Sequence, residues 1–166
     1  YEWSVNGNAI GTGATYTVDA TDTDVANSII CTASVTDNDG AAANSSASVL
    51  VENTDPVLSN IQIIPATTTY NDDSRTCSAT VTDPDETLTA SYEWTINGVF
   101  ATTGDAIDLS LFTVWPDDIL GCSASVTDAQ GSSSLIAADL TIANRAPVIS
   151  TPTIDNTTPY ADSTIT

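Results

Sequence analysis

CTASVTDNDG at residues 31–40 and CSASVTDAQG at residues 122–131 decide the fold. They are near-copies, and Cys31 and Cys122 stand 91 residues apart. Two further pairs keep that spacing: YEWSVNG from Tyr1 with YEWTING from Tyr92, and ENTDPVLS from Glu52 with ANRAPVIS from Ala143. One offset shared by three separate segments is the mark of a tandem repeat. Tyr70 and Tyr160 lie 90 apart, as expected where a loop has lost one residue. The Pro-bearing segments NTDPV and NRAPV each stand between two strand-like runs and mark the boundaries. Residues 1–53 then read as the C-terminal part of one repeat, residues 54–144 as a complete repeat, and residues 145–166 as the N-terminal strand region of the next. Both ends read as cuts in a longer chain.

Within the complete repeat the apolar residues alternate with period two, the pattern of a strand with one face in a core and one in water. Cys77, Ala79 and Val81 form one such run, and Tyr92, Trp94 and Ile96 a second. Leu120, Cys122, Ala124 and Val126 form a third, and Ile136, Ala138, Leu140 and Ile142 a fourth. Asn71-Asp72-Asp73, Asp83-Pro84-Asp85, Asn97-Gly98, Asp117-Asp118 and Gln130-Gly131 punctuate them as turns. No helical period of useful length is present. Short strands in this number predict an all-β, antiparallel β-sandwich.

Composition narrows the function. The chain has 166 residues, 22 acidic against two basic, no His and a formal charge of −20. Nucleic-acid binding draws on basic side chains that displace counterions from phosphate, and this chain repels phosphate. No apolar run approaches the roughly 18–20 residues of a membrane-spanning helix. With neither His nor Lys, the abundant Ser and Thr hydroxyls have no evident activating base, and the acids sit in turns rather than in catalytic pairs. The expectation is a protein that is not an enzyme.

VTDPDETLTASYEWTING and CSASVTDAQG resemble the Ig-like and PKD-like tandem repeats of large bacterial surface and secreted proteins. The resemblance spans essentially the whole chain. One departure from the PKD pattern is the Asn-Gly turn after the Trp strand, so the broader Ig-like label fits better. The order Cys77, Trp94, Cys122 resembles the immunoglobulin arrangement, in which a disulfide between two strands packs on an intervening Trp. The resemblance implies a Cys77–Cys122 disulfide, Trp94 and its counterpart Trp3 as core markers, and an oxidising, extracellular or cell-surface location. It also implies that Cys31 pairs with a cysteine outside the segment. A free buried thiol is the alternative.

Calcium is the cofactor that the acids suggest, since it takes six to eight oxygen ligands from carboxylates and carbonyls. In the implied topology, end-to-end stacking brings Asp22 and Asp24 of the first repeat toward Glu52, Asn53 and Asp55 of the linker. Asp83, Asp85, Glu86 and Asp128 of the complete repeat join them. The competing reading is that Asp and Asn here only build turns. At the second boundary Arg145 replaces an uncharged residue and is expected to pair with Asp72, Asp73, Asp117 or Asp118. Asn44 and Asn156 match the N-glycosylation acceptor pattern, and O-linked sugars on the Thr runs are an equal alternative. Phe112 and Trp115 are expected to pack in the core, with an intermolecular contact as the sharper alternative.

These readings point to a non-catalytic structural unit of a long extracellular rod, stalk or filament. Its partners would be neighbouring repeats and, in a filament, identical chains. The rivals are an adhesin module gripping a cell-surface partner or glycan, and an accessory domain of a secreted hydrolase.

Overall fold

The computed structural model describes residues 1–154, 157–158 and 160–162. Among the described residues eleven strands run in the order β1 (Glu2–Val5), β2 (Asn8–Thr12), β3 (Ser28–Thr36), β4 (Ala42–Leu50), β5 (Val57–Ile64), β6 (Ser74–Thr82), β7 (Ser91–Ile96), β8 (Val99–Thr103), β9 (Ala106–Asp108), β10 (Ile119–Thr127) and β11 (Ser133–Thr141). A 3-10 turn, Leu109–Leu111, follows β9. The fold is all-β, and the strand pairs within its sheets are antiparallel.

Residues 54–144 build two sheets, one ordered β11-β10-β7-β8 and the other β5-β6-β9. The alternation explains why they stack. Each strand offers an apolar row on one side only, and burying that row needs a second sheet. The core draws Ile63, Cys77 and Ile107 from one sheet and Trp94, Leu120 and Cys122 from the other, with Leu109, Val114 and Ile142 closing one end. Leu58, Ala124 and Val126 fill the other end. This is the layered arrangement of a β-sandwich. The Cys77–Cys122 disulfide links β6 to β10, and so ties one sheet to the other. Trp94 lies directly opposite Cys122 in the β7–β10 register. It is wholly buried, and its Nε1 donates to the Gly104 carbonyl at 2.9 Å, which satisfies its one polar atom. Tyr92 reaches across the sandwich, where its hydroxyl accepts from the Ala79 N–H at 3.0 Å. After β5 the chain crosses to the other sheet, and Thr69 bridges Ile142 in parallel.

The Asn-Gly signals act as the turn chemistry requires. Asn97 and Gly98 both have positive φ, 52° and 75°, as do Asn6 and Gly7 at 51° and 80°. Two-residue hairpin turns of this hand match the twist of the strands they join, here β7 to β8 and β1 to β2. Val114 takes the buried position in the segment after the 3-10 turn, and Phe112 packs partly against the core. Trp115 does not: it is 67 % exposed, a correction to the expected core role. The backbone explains it, because Trp115 N donates to Asp118 Oδ2 at 2.7 Å and opens the turn into β10 rather than lying in a strand.

Residues 1–53 build one four-stranded sheet, β2-β1-β3-β4. Trp3 lies opposite Cys31, and Cys31 opposite Ala47. Trp94, Cys122 and Ala138 stand in the same relation in the later sheet. Trp3 Nε1 donates to the Gly13 carbonyl at 2.9 Å, as Trp94 does to Gly104. Cys31 is a free, half-buried thiol. Beyond β11, residues 145–154 form no strand, and Val148 and Ile149 are exposed.

Candidate functional site at the junction

Three short segments meet where the first sheet leads into the sandwich: the linker after β4, the loop from β6 to β7, and the turn from β10 to β11. The turn explains the repeated V-T-D-x-x-G motif. Asp128 Oδ1 accepts from the N–H groups of Gln130 (3.0 Å) and Ser132 (2.7 Å), and Gly131 takes φ 94°, a value that an L side chain rarely adopts. Asp37 and Gly40 repeat the arrangement after β3, with Asp37 Oδ1 accepting from Asp39 and Ala41. In the β6–β7 loop, Asp83 Oδ1 accepts from the N–H groups of Asp85 (2.8 Å) and Glu86 (3.3 Å). Glu86 then crosses to the turn, where its Oε1 accepts from Ala129 N at 2.9 Å.

The linker is fastened to both. Asn53 Nδ2 donates to Asp128 Oδ2 at 2.8 Å, and the Thr54 N–H donates to Asp85 Oδ2. Asp128 is only 6 % exposed. Burial opposes its charge, but hydrogen bonds from Asn53 and from the backbone of Ser132, Gly131 and Gln130 outweigh it and hold the carboxyl below the usual aspartate range.

The result is an acidic cluster. One oxygen each from Asp83, Glu86 and Asp128 lies within 4.8 Å of the other two. Asp83 Oδ2 and Asn53 Oδ1 are sealed from solvent and have no hydrogen-bond partner. Both are acceptors, and buried acceptors left alone are costly. A hard cation with oxygen ligands fits such a donor set.

Of the acids expected here, Asp83, Glu86 and Asp128 come together, and the expected Asn53 joins them through Asp128. Asp24 and Asp85 line a neighbouring recess together with Glu86 and Gln130. Asp55 lines an open groove with Asp83 and Glu86. Asp22 is engaged elsewhere, accepting from the Tyr16 hydroxyl at 3.1 Å, and Glu52 is exposed. Neither is among the three acids whose oxygens lie within 4.8 Å of one another. Asn44 is exposed on β4, and Asn156 lies outside the described residues.

At the opposite end of the sandwich Arg145 finds Asp72, one of its four expected partners. NH1 and NH2 bond the two carboxylate oxygens at 2.9 and 2.8 Å, and the guanidinium lies 4.4 Å from the Tyr70 ring centre. The bidentate contact holds Asp72 below its ordinary pKa. Sequence reasoning missed Arg75, which is 5 % exposed. Its guanidinium donates to Thr69 Oγ1, the Thr68 and Ser74 carbonyls, and Asp73 Oδ2. The signal was present, since Arg75 stands two residues before Cys77 and therefore on the same inward face.

Comparison with protein-family models, with curated proteins and with solved structures finds no match to this chain. Among the described residues no helix is long and apolar enough to cross a membrane.

Proposed function

We propose that this chain is a stretch of a tandem array of Ig-like β-sandwich repeats, and that the array is a structural rod or stalk outside the cell. One observation carries the reading. The sheets β2-β1-β3-β4 and β8-β7-β10-β11 share a strand order and a residue register, and their matching residues stand 91 positions apart. The Cys77–Cys122 link behind Trp94 and the Thr69–Ile142 bridge support the Ig-like label. A disulfide in an all-β chain is compatible with an oxidising compartment. The short linker is hydrogen-bonded to the next repeat through Asn53 and Thr54, which suits a stiff joint rather than a free hinge. A charge of −20 keeps neighbouring rods apart. Pulled end to end, the native polypeptide should lengthen in equal steps, one per repeat; a single irregular extension would contradict the reading.

The proposal includes a calcium ion at the joint, supported by the unpartnered oxygens of Asp83 and Asn53 beside the Asp83–Glu86–Asp128 cluster. An ion that binds only the folded state at 100 times its Kd stabilises by about 2.7 kcal/mol. Thermal unfolding in millimolar calcium is therefore expected to show a higher midpoint than in chelator. Asp83→Asn should abolish the difference, because it removes a ligand charge while keeping an oxygen for the loop. A midpoint indifferent to calcium would rule out the ion and leave the rod standing.

A further inference from the structure

The 166 residues include two basic side chains, Arg75 and Arg145, and no Lys. An endopeptidase that cuts after a basic residue has these two targets here, and the fold treats them differently. Arg75 lies within β6, which pairs with β5 on one side and β9 on the other. Its side chain is buried and donates to Thr68, Thr69, Asp73 and Ser74. Neither its backbone nor its guanidinium reaches a protease unless the sandwich unfolds. Arg145 lies in the irregular segment after β11, where residues 144–150 are all exposed. Folded chains are nicked in segments of this kind. The Arg145 side chain, however, is already held. Asp72 accepts from both terminal guanidinium nitrogens, and the Tyr70 ring stacks beside them. A trypsin-like protease takes the same side chain into a specificity pocket that carries its own carboxylate. Asp72 and that carboxylate compete for one guanidinium.

We infer that the Arg145–Ala146 bond is a processing site for a trypsin-like endopeptidase, and that Asp72 and Tyr70 gate it by withholding the Arg145 side chain. The reaction consumes one water. The peptide C–N bond breaks, the hydroxyl ends on the Arg145 carbonyl carbon, and the proton goes to the Ala146 nitrogen. Among the described residues no disulfide spans the cut, since Cys77 and Cys122 both precede it and Cys31 is free. Residues 146–154 belong to no sheet, so hydrolysis divides the chain at the end of the complete sandwich. The two joints differ in this respect. Asn144-Arg145-Ala146-Pro147 stands 91 positions after Asn53-Thr54-Asp55-Pro56, and the first joint therefore offers Thr54 where the second offers Arg145. Where the clamp opens and closes faster than the protease cuts, the rate follows the open population. An exposed ion pair and an exposed cation–π contact together lower that population by a factor of about 5–30.

The site stands on Arg145 and its partners, and so its test is separate from that of the rod. The native polypeptide is digested with trypsin under folding conditions, and the new termini are identified by mass. Cleavage is expected after Arg145 and not after Arg75. Asp72→Asn, which keeps the shape of the side chain and removes its charge, should speed the cut about two- to fivefold. Asp72→Asn combined with Tyr70→Leu should speed it about 5–30-fold. Arg145→Thr, the residue of the first joint, should abolish it. An Arg75 that stays uncut reports that each variant keeps its sandwich; should the double variant lose that protection, Asp72→Asn alone decides. A wild-type chain that resists while Asp72→Asn is cut also supports the gate. No cut after Arg145 in any variant, cutting after Arg75 as early as after Arg145 in the wild type, or variants cut no faster than the wild type would overturn it.

Discussion

Replacing Cys77 and Cys122 together by alanine, or reducing the bond between them, is expected to lower the stability of residues 54–144 by about 4 kcal/mol. The figure is the chain-entropy estimate for a crosslink closing a loop of this length; the sequence separation is 45 residues. Geometry adds to it, because the bond joins facing sheets at the centre of the core, where Cys77 and Cys122 are 3 % and 1 % exposed. For a domain of this size each kcal/mol corresponds to about 4–8 °C. Thermal unfolding with and without reductant should therefore show midpoints roughly 15–30 °C apart. Coincident midpoints would mean that the sandwich does not depend on its covalent link. Alanine is the informative substitution, since serine would add hydroxyls to a dry site.

Trp94→Ala is the second large effect, with an expected loss of about 3–5 kcal/mol. Trp94 is wholly buried among Cys77, Cys122, Leu109 and Leu120, so truncation opens a cavity that neighbours on two rigid sheets cannot collapse to fill. It also orphans the Gly104 carbonyl, which now accepts from the indole. A loss of this size is a large share of the roughly 5–15 kcal/mol that folds an ordinary domain. Urea unfolding should show a much lower midpoint with the slope preserved. Trp3→Ala, at the matching position on the first sheet, is expected to cost less than half as much in the 166-residue chain. Equal effects at Trp3 and Trp94 would contradict the placement of the core.

Much of the fold was legible because period-two alternation speaks directly about faces. Leu120, Cys122, Ala124 and Val126 alternate in the sequence, and all four are buried. Asn97-Gly98 announces a two-residue hairpin, and the positive φ values deliver it. Trp115 was misread because aromatic character says nothing of direction in an irregular segment, where a hydrogen bond to Asp118 sets the course of the chain. Arg75 was overlooked because charge suggested the surface, although its register pointed inward.

The junction was legible in outline. Topology brings the β6–β7 loop and the β10–β11 turn together, so Asp83, Glu86 and Asp128 could be expected to meet. Which acids stay out depends on local partners that no spacing encodes, as the Tyr16 hydroxyl shows in holding Asp22. The Asn53–Asp128 bond, 75 residues long in sequence, arises only once the linker has folded back onto the turn.

The measurement that bears most directly on the rod is force extension of the native polypeptide, in oxidising and then in reducing buffer. With the disulfide closed, the chain between Cys77 and Cys122 is shielded from the pull. Each repeat should then release about 46 of its residues, roughly 150–165 Å at the reach of an extended chain. With the disulfide reduced, every step should grow to about 91 residues, roughly 300–330 Å. Unequal steps, or equal steps that reductant leaves unchanged, would contradict a rod built from disulfide-locked repeats.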